Sequence, residues 1–115
     1  MHKNALIYVQ HILTCIESIE EYTNGLSEQD FLNTKMVQDA VIRNFEVIGE
    51  ASKHVNEELK EKYNKVEWRK MGDLRNKLIH DYIGVDIWAV YRVVTNIIPE
   101  LKMQILEIIE KETKN

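Results

Sequence analysis

Leu6, Val9, Leu13, Ile16 and Ile19 recur every three or four residues. That is the spacing of an apolar stripe along a helix, and it predicts a first helix from about Asn4 to Asn24, closed by Gly25 as a left-handed cap. The stretch SEQD sets Ser27 three residues before Asp30, the capping-box spacing with aspartate in place of the usual glutamate, and predicts a short turn. A second long helix is predicted from Asn33 or Thr34 to about Lys62, with Val37, Val41, Phe45 or Ile42, Ile48 and Val55 turned inward. Within it Gly49 marks a candidate close helix crossing. The polar connection KEKYNK leads into EWRKMGDLRNKLIHDYIG, with aromatic and apolar residues on both sides of Gly72, which reads as a short turn followed by a short helix stopped near Gly84. Asp86 is the expected N-cap of a last helix, IWAVYRVVTNIIPELKMQILEIIEK. Inside it, Pro99 predicts a kink, because its ring clashes with the carbonyl of Thr95 and removes one hydrogen bond. No strand-like alternation persists. The pattern predicts an all-α protein: an antiparallel bundle of three long helices plus one short helix, with residues 1–115 forming a single domain.

Composition narrows the class. Hydrophobic residues make up 44% and charged residues 30%, with four glycines and one proline, the balance of an ordered helical protein and not of a tail or linker. Cys15 is the only cysteine, so neither an intramolecular disulfide nor a cysteine-based zinc cluster is available. A reducing, cytoplasmic setting is expected, since no signal-peptide pattern and no run of apolar residues long enough to span a membrane is visible.

The net charge is −4, which by itself argues against an open nucleic-acid surface. The distribution changes that picture. Between Lys60 and Lys77 stand seven basic residues (Lys60, Lys62, Lys65, Arg69, Lys70, Arg75, Lys77) against Glu61, Glu67 and Asp73, a local charge of +4, so the other 97 residues carry −8. Such a segment on an acidic body suits a local polyanion contact; a solvated helix end followed by a loop is the plainer alternative.

The densest chemistry lies in RNKLIHDY, residues 75–82. On a helical wheel with Arg75 at the origin, Leu78 and Ile79 fall at about −60 and about 40 degrees, Asn76 at about 100, His80 at about 140 and Tyr82 at about −20. Arg75 is thus set in an apolar stripe and His80 at its border, with Asn76 one turn below His80. An arginine in such a stripe needs partners for its guanidinium. Either a carboxylate pairs with it, with Glu46 and Glu50 as candidates, or the stripe opens into a cleft that receives an anion.

Arg75, His80 and Tyr82 together spell R-x4-H-x-Y, and the string resembles the motif of the HepT toxins, members of the HEPN superfamily of helical ribonucleases. The flanking blocks QDAVIRNFEVIGEAS and EWRKMGDLRNKLIHDYIGVD are similar to the family's characteristic segments in order and separation, so the resemblance covers nearly the whole chain. Glu67 before Trp68 departs from it, since many relatives have proline there. What the resemblance implies is a metal-independent endoribonuclease without cofactor, working on RNA as a two-fold homodimer whose short helices share one cleft. Arg75 and His80 are then the catalytic pair, Asn76 a supporting residue, and Tyr82 the acceptor of AMP from a partner nucleotidyltransferase antitoxin of the MntA type. The four histidines, His2, His11, His54 and His80, lie in separate segments, in keeping with the absence of a ligand cluster.

The residue types suit that chemistry. Histidine titrates near neutrality and serves as base or acid. Arginine is a planar, permanently charged donor array matched to phosphate. The same residues also suit a noncatalytic nucleotide- or substrate-binding subunit of a nucleotidyltransferase complex, or a plain dimerisation module with a carboxylate-paired Arg75. Trp68, Trp88 and Tyr91 are candidates for base stacking, although at helical spacing aromatic residues more often belong to a core.

Overall fold

The computed structural model describes residues 3–80 and 86–114, those at 3–5 and 75–80 by their backbone. The chain runs through α1 (Lys3–Thr23), α2 (Glu28–Asn33), α3 (Lys35–His54), α4 (Glu57–Lys62), α5 (Trp68–His80), α6 (Ile87–Arg92), a π-helical turn (Val93–Ile97) and α7 (Ile98–Thr113). No strand occurs among the described residues.

Gly25 closes α1 at φ 77°, where a side chain would be strained, and the Leu26 amide bonds back to the Thr23 carbonyl. The capping box forms at the expected residues: the Asp30 amide donates to Ser27 Oγ at 3.1 Å and the Ser27 amide to Asp30 Oδ2 at 3.2 Å. At the other end of α2, buried Gln38 donates to the carbonyls of Phe31 and Leu32 at 2.9 and 3.0 Å, which satisfies groups that a helix end leaves orphaned.

α1 packs on α3 and α7, and α5 packs on α3. Tyr8, near the start of α1, stacks on His54 at the end of α3, with ring centroids 5.0 Å apart. Glu20, near the end of α1, pairs with Lys102 of α7 at 2.8 Å. Lys53, near the end of α3, lies against Gly72 in the first half of α5. These contacts alternate the long helices up and down around a core of Val9, Ile12, Ile16, Ile19, Val41, Phe45, Ile48, Val90, Ile105 and Ile108. The stripe on α1 is rotated from the expected one: Ile12 and Cys15 are buried, while Leu13 and Leu6 are half-buried, because α1 must serve two neighbours.

Three boundaries differ from the sequence pattern. α3 ends at His54, not Lys62: Val55 turns extended at ψ 134°, and Asn56 restarts the chain as N-cap of α4, its side chain accepting from the Leu59 amide at 2.9 Å. Val55 and Leu59 are both buried by this break. Next, α5 begins at Trp68 and runs unbroken through Gly72, which is buried against α3, so the segment from Trp68 to His80 is one helix and not a short turn followed by a helix. The stop expected near Gly84 lies outside the described residues. Finally, Pro99 is accommodated by the π-helical turn. The Ile98 amide bonds to the carbonyl of Val93, five residues back, which shifts the register so that the proline enters at the first turn of α7. Asp86 caps α6 as expected, accepting from the Ala89 amide at 3.1 Å.

Candidate functional site

Arg75, Asn76 and His80 all lie on α5, whose start is held in place by Trp68. The Trp68 ring is buried and its Nε1 donates to the Tyr63 carbonyl at 3.1 Å, so the connection from α4 is locked before the helix begins. Met71 adds a buried contact and Leu74 a half-buried one. Arg75 and His80 therefore occupy one continuous helix, about 7.5 Å apart along its axis. Their side chains, with that of Asn76, lie outside the described residues, as does Tyr82 altogether.

Contact with α3 sets the level of these positions. A Cβ built on Gly72 would sit 3.6 Å from Lys53 Cγ and 3.7 Å from Lys53 Cε, ordinary van der Waals contact. Since both helices rise about 1.5 Å per residue in opposite directions, position 76 stands near the level of Gly49 and position 80 near that of Phe45. Gly49 is buried one turn before Lys53, and as a glycine it presents no side chain at that level of α3. Of the two carboxylates considered for Arg75, Glu46 is half-buried, and Glu50 is exposed with Oε1 3.5 Å from Nε2 of His54 on its own helix. Their pairing with Arg75 lies outside the described residues.

The basic segment is less open than its charge suggests. Lys60 pairs with Glu57 at 3.9 Å, Lys62 with Glu112 at 2.8 Å and Lys70 with Glu67 at 3.2 Å. A groove of about 260 Å³ separates the first half of α5 from α7, floored by Met71, Leu74, Ile97 and Leu101. Lys65 and Lys70 on its rim are balanced by Glu67 and Glu100, so it is no polyanion surface. The three aromatic candidates separate clearly: Trp68 is buried and Tyr91 is half-buried against Phe31 at 5.4 Å, whereas Trp88 is 49% exposed. The sequence pattern does not single out Lys53, which follows Gly49 by four residues on the same helix.

Among the described residues no cluster of three or more histidine, cysteine, aspartate or glutamate side chains is arranged to hold a metal ion, and no helix is long and apolar enough to cross a membrane.

The family described as Ribonuclease HepT-like matches residues 12–108. A Methanocaldococcus jannaschii protein named "Gamma-glutamylcyclotransferase and putative RNase" is 48% identical over all 115 residues; the chain spans 52% of that longer protein. A Caldanaerobacter subterraneus protein named "Putative RNase" is 39% identical over 105 residues, covering 91% of this chain and 94% of its own length. The "Probable ribonuclease HepT" of Thermococcus cleftensis is 44% identical over 95 residues, 83% of this chain and 86% of that protein. No solved structure matches the chain. With an all-helical fold, an unbroken helix bearing the Arg-His spacing, and similarity reaching from Ile12 to Ile108, the chain belongs to the HepT-like ribonuclease family.

Proposed function

We propose that the chain is an endoribonuclease, the toxin of a toxin-antitoxin pair, that cleaves RNA without a metal ion at a cleft shared by two copies. The observation that carries this reading is the joint one of family membership and an Arg75–His80 spacing held on a single uninterrupted helix.

The reaction is a transesterification. His80 of one protomer takes the proton of the ribose 2′-hydroxyl, whose oxygen attacks the adjacent phosphorus. The bond from phosphorus to the 5′-oxygen breaks, and the second protomer's His80 gives a proton to that oxygen. Arg75 stabilises the charge that collects on the phosphorane oxygens. The products are a 2′,3′-cyclic phosphate and a 5′-hydroxyl, with no water consumed. Each chain supplies one motif histidine while the reaction uses a base and an acid, which is why the site is read as a dimer. Asn76, one turn from His80 on the helix, orients the imidazole or the phosphate. Tyr82, two residues after His80 in the sequence, is the position at which a nucleotidyltransferase antitoxin of the MntA type adds AMP and blocks the cleft.

The test is cleavage of a mixed RNA in EDTA by wild type and His80→Ala, with the ends identified. Cleavage by wild type alone, leaving cyclic phosphates, is the expected result. Intact RNA with wild-type protein whose Tyr82 is shown by mass to be unmodified would sink the proposal and favour a noncatalytic binding subunit.

A further inference from the structure

Lys53 is a cation that the reaction above does not use. It sits in the last turn of α3, exposed, and its stem lies across α5: both Cγ and Cε are within contact distance of the space where a side chain at Gly72 would begin. Contact at two carbons this far along the chain means that the stem runs flat over the helix. No carboxylate among the described residues, Glu50 and Asp73 included, lies within ion-pair distance of its ammonium.

Position matters here. On α5, residues three and four beyond Gly72 are its neighbours one turn on, and they are Arg75 and Asn76. They lie about 4.5 and about 6 Å further along the axis. Glycine at 72 leaves a lane beside the motif that a lysine from another helix crosses, and packing of the stem removes much of the freedom a surface lysine would otherwise lose on binding.

We propose that Lys53 is a second phosphate-binding residue of the same site, holding the RNA backbone phosphate next to the one at Arg75. The inference rests on the ribonuclease reading and extends it: the substrate is recognised over more than one phosphate, so a chain of several nucleotides binds better than a dinucleotide. The rival explanation is purely structural, with the stem as packing and the ammonium complementing the C-terminal end of α3.

The experiment is anisotropy of labelled 2′-O-methyl RNA, which lacks the nucleophile, binding to the full chain across a series of KCl concentrations. For a decanucleotide, Lys53→Met should weaken binding about 5–10-fold at low salt and reduce the slope of log affinity against log salt by about 0.7 for each phosphate no longer neutralised, while Lys53→Arg keeps both. A dinucleotide with one phosphate should bind wild type and Lys53→Met alike. Equal decanucleotide slopes for wild type and Lys53→Met, or an equal loss on the dinucleotide, would overturn the assignment of Lys53 and leave the ribonuclease reading standing. A wild-type protein that binds neither RNA would overturn both.

Discussion

Tyr63, at the end of α4, donates its phenol to the carboxylate of Glu112 in the last turn of α7, with 2.5 Å between Oη and Oε2. Lys62 reaches the same oxygen at 2.8 Å, and the Glu112 side chain is only 5% exposed. These contacts tie the connection that leads into the motif helix to the far end of the chain. Replacing the carboxylate by an amide leaves an oxygen that can accept but removes the charge that strengthens both bonds. Glu112→Gln should therefore cost about 1–2 kcal/mol, and Tyr63→Phe about 0.5–1.5 kcal/mol. For a domain of this size thermal melting should fall by roughly 4 °C per kcal/mol. A Glu112→Gln protein that melts with wild type would show that the cluster contributes nothing.

The same cluster sets a pH dependence. The hydrogen bond from Lys62, then that from Tyr63, holds the Glu112 carboxyl below its ordinary value. Its contribution is present above the ordinary carboxyl range and is lost as pH falls through the lowered value. Burial, then the bond to Glu112, pushes Tyr63 up to about 12. Neutral Tyr63 therefore stabilises the fold fully below its ordinary value of about 10, and the gain is lost between about 10 and about 12. Denaturant titrations of wild type and Tyr63→Phe should differ by a constant amount near neutrality and by less as pH climbs through that window. A gap that widens at high pH would contradict the assignment.

Gly72 is helical, and among the described residues a Cβ there meets nothing closer than 3.6 Å. Gly72→Ala should stabilise the protein by about 0.5–1 kcal/mol, because alanine loses less backbone entropy in a helix. Chemical denaturation checks this. A loss of stability would contradict the open contact with Lys53.

For the motif itself, Arg75→Ala and His80→Ala should each reduce RNA cleavage by about 10²–10⁴-fold with the circular dichroism spectrum unchanged. Mixing wild type with His80→Ala tests the shared cleft: a heterodimer keeps only one of the two histidines the reaction uses, so activity should fall faster than in proportion to the wild-type fraction. An active monomer by light scattering would end the dimer reading.

Tyr82 carries a prediction of its own. Incubation of the protein with ATP and a nucleotidyltransferase of the MntA type should add the mass of AMP to wild type and not to Tyr82→Phe, and cleavage should fall as labelling rises. Equal labelling of the two proteins would move the modification elsewhere.

Helix identity was legible because apolar residues every three or four positions, Gly25, the Ser27–Asp30 box and Asp86 are local signals whose physics acts within one or two turns. The motif string was legible for the same reason, as a spacing on a helix. The features that differed depend on neighbours distant in sequence. α3 breaks at Val55 where Asn56 offers a competing cap and both Val55 and Leu59 gain burial. Gly72 stays helical because α3 covers it, and Pro99 is absorbed by a wide turn in place of a simple bend. Trp68 and Trp88 are alike in sequence, yet one is buried and the other exposed.

By itself, then, the sequence determined that the chain is all-α and where most of its helices lie. Tertiary structure alone decided that Lys53 of α3 meets Gly72 of α5, and that Glu112 meets Tyr63 across 49 positions. Periodicity states which face of a helix seeks burial; only packing states which other helix covers it, and at what level.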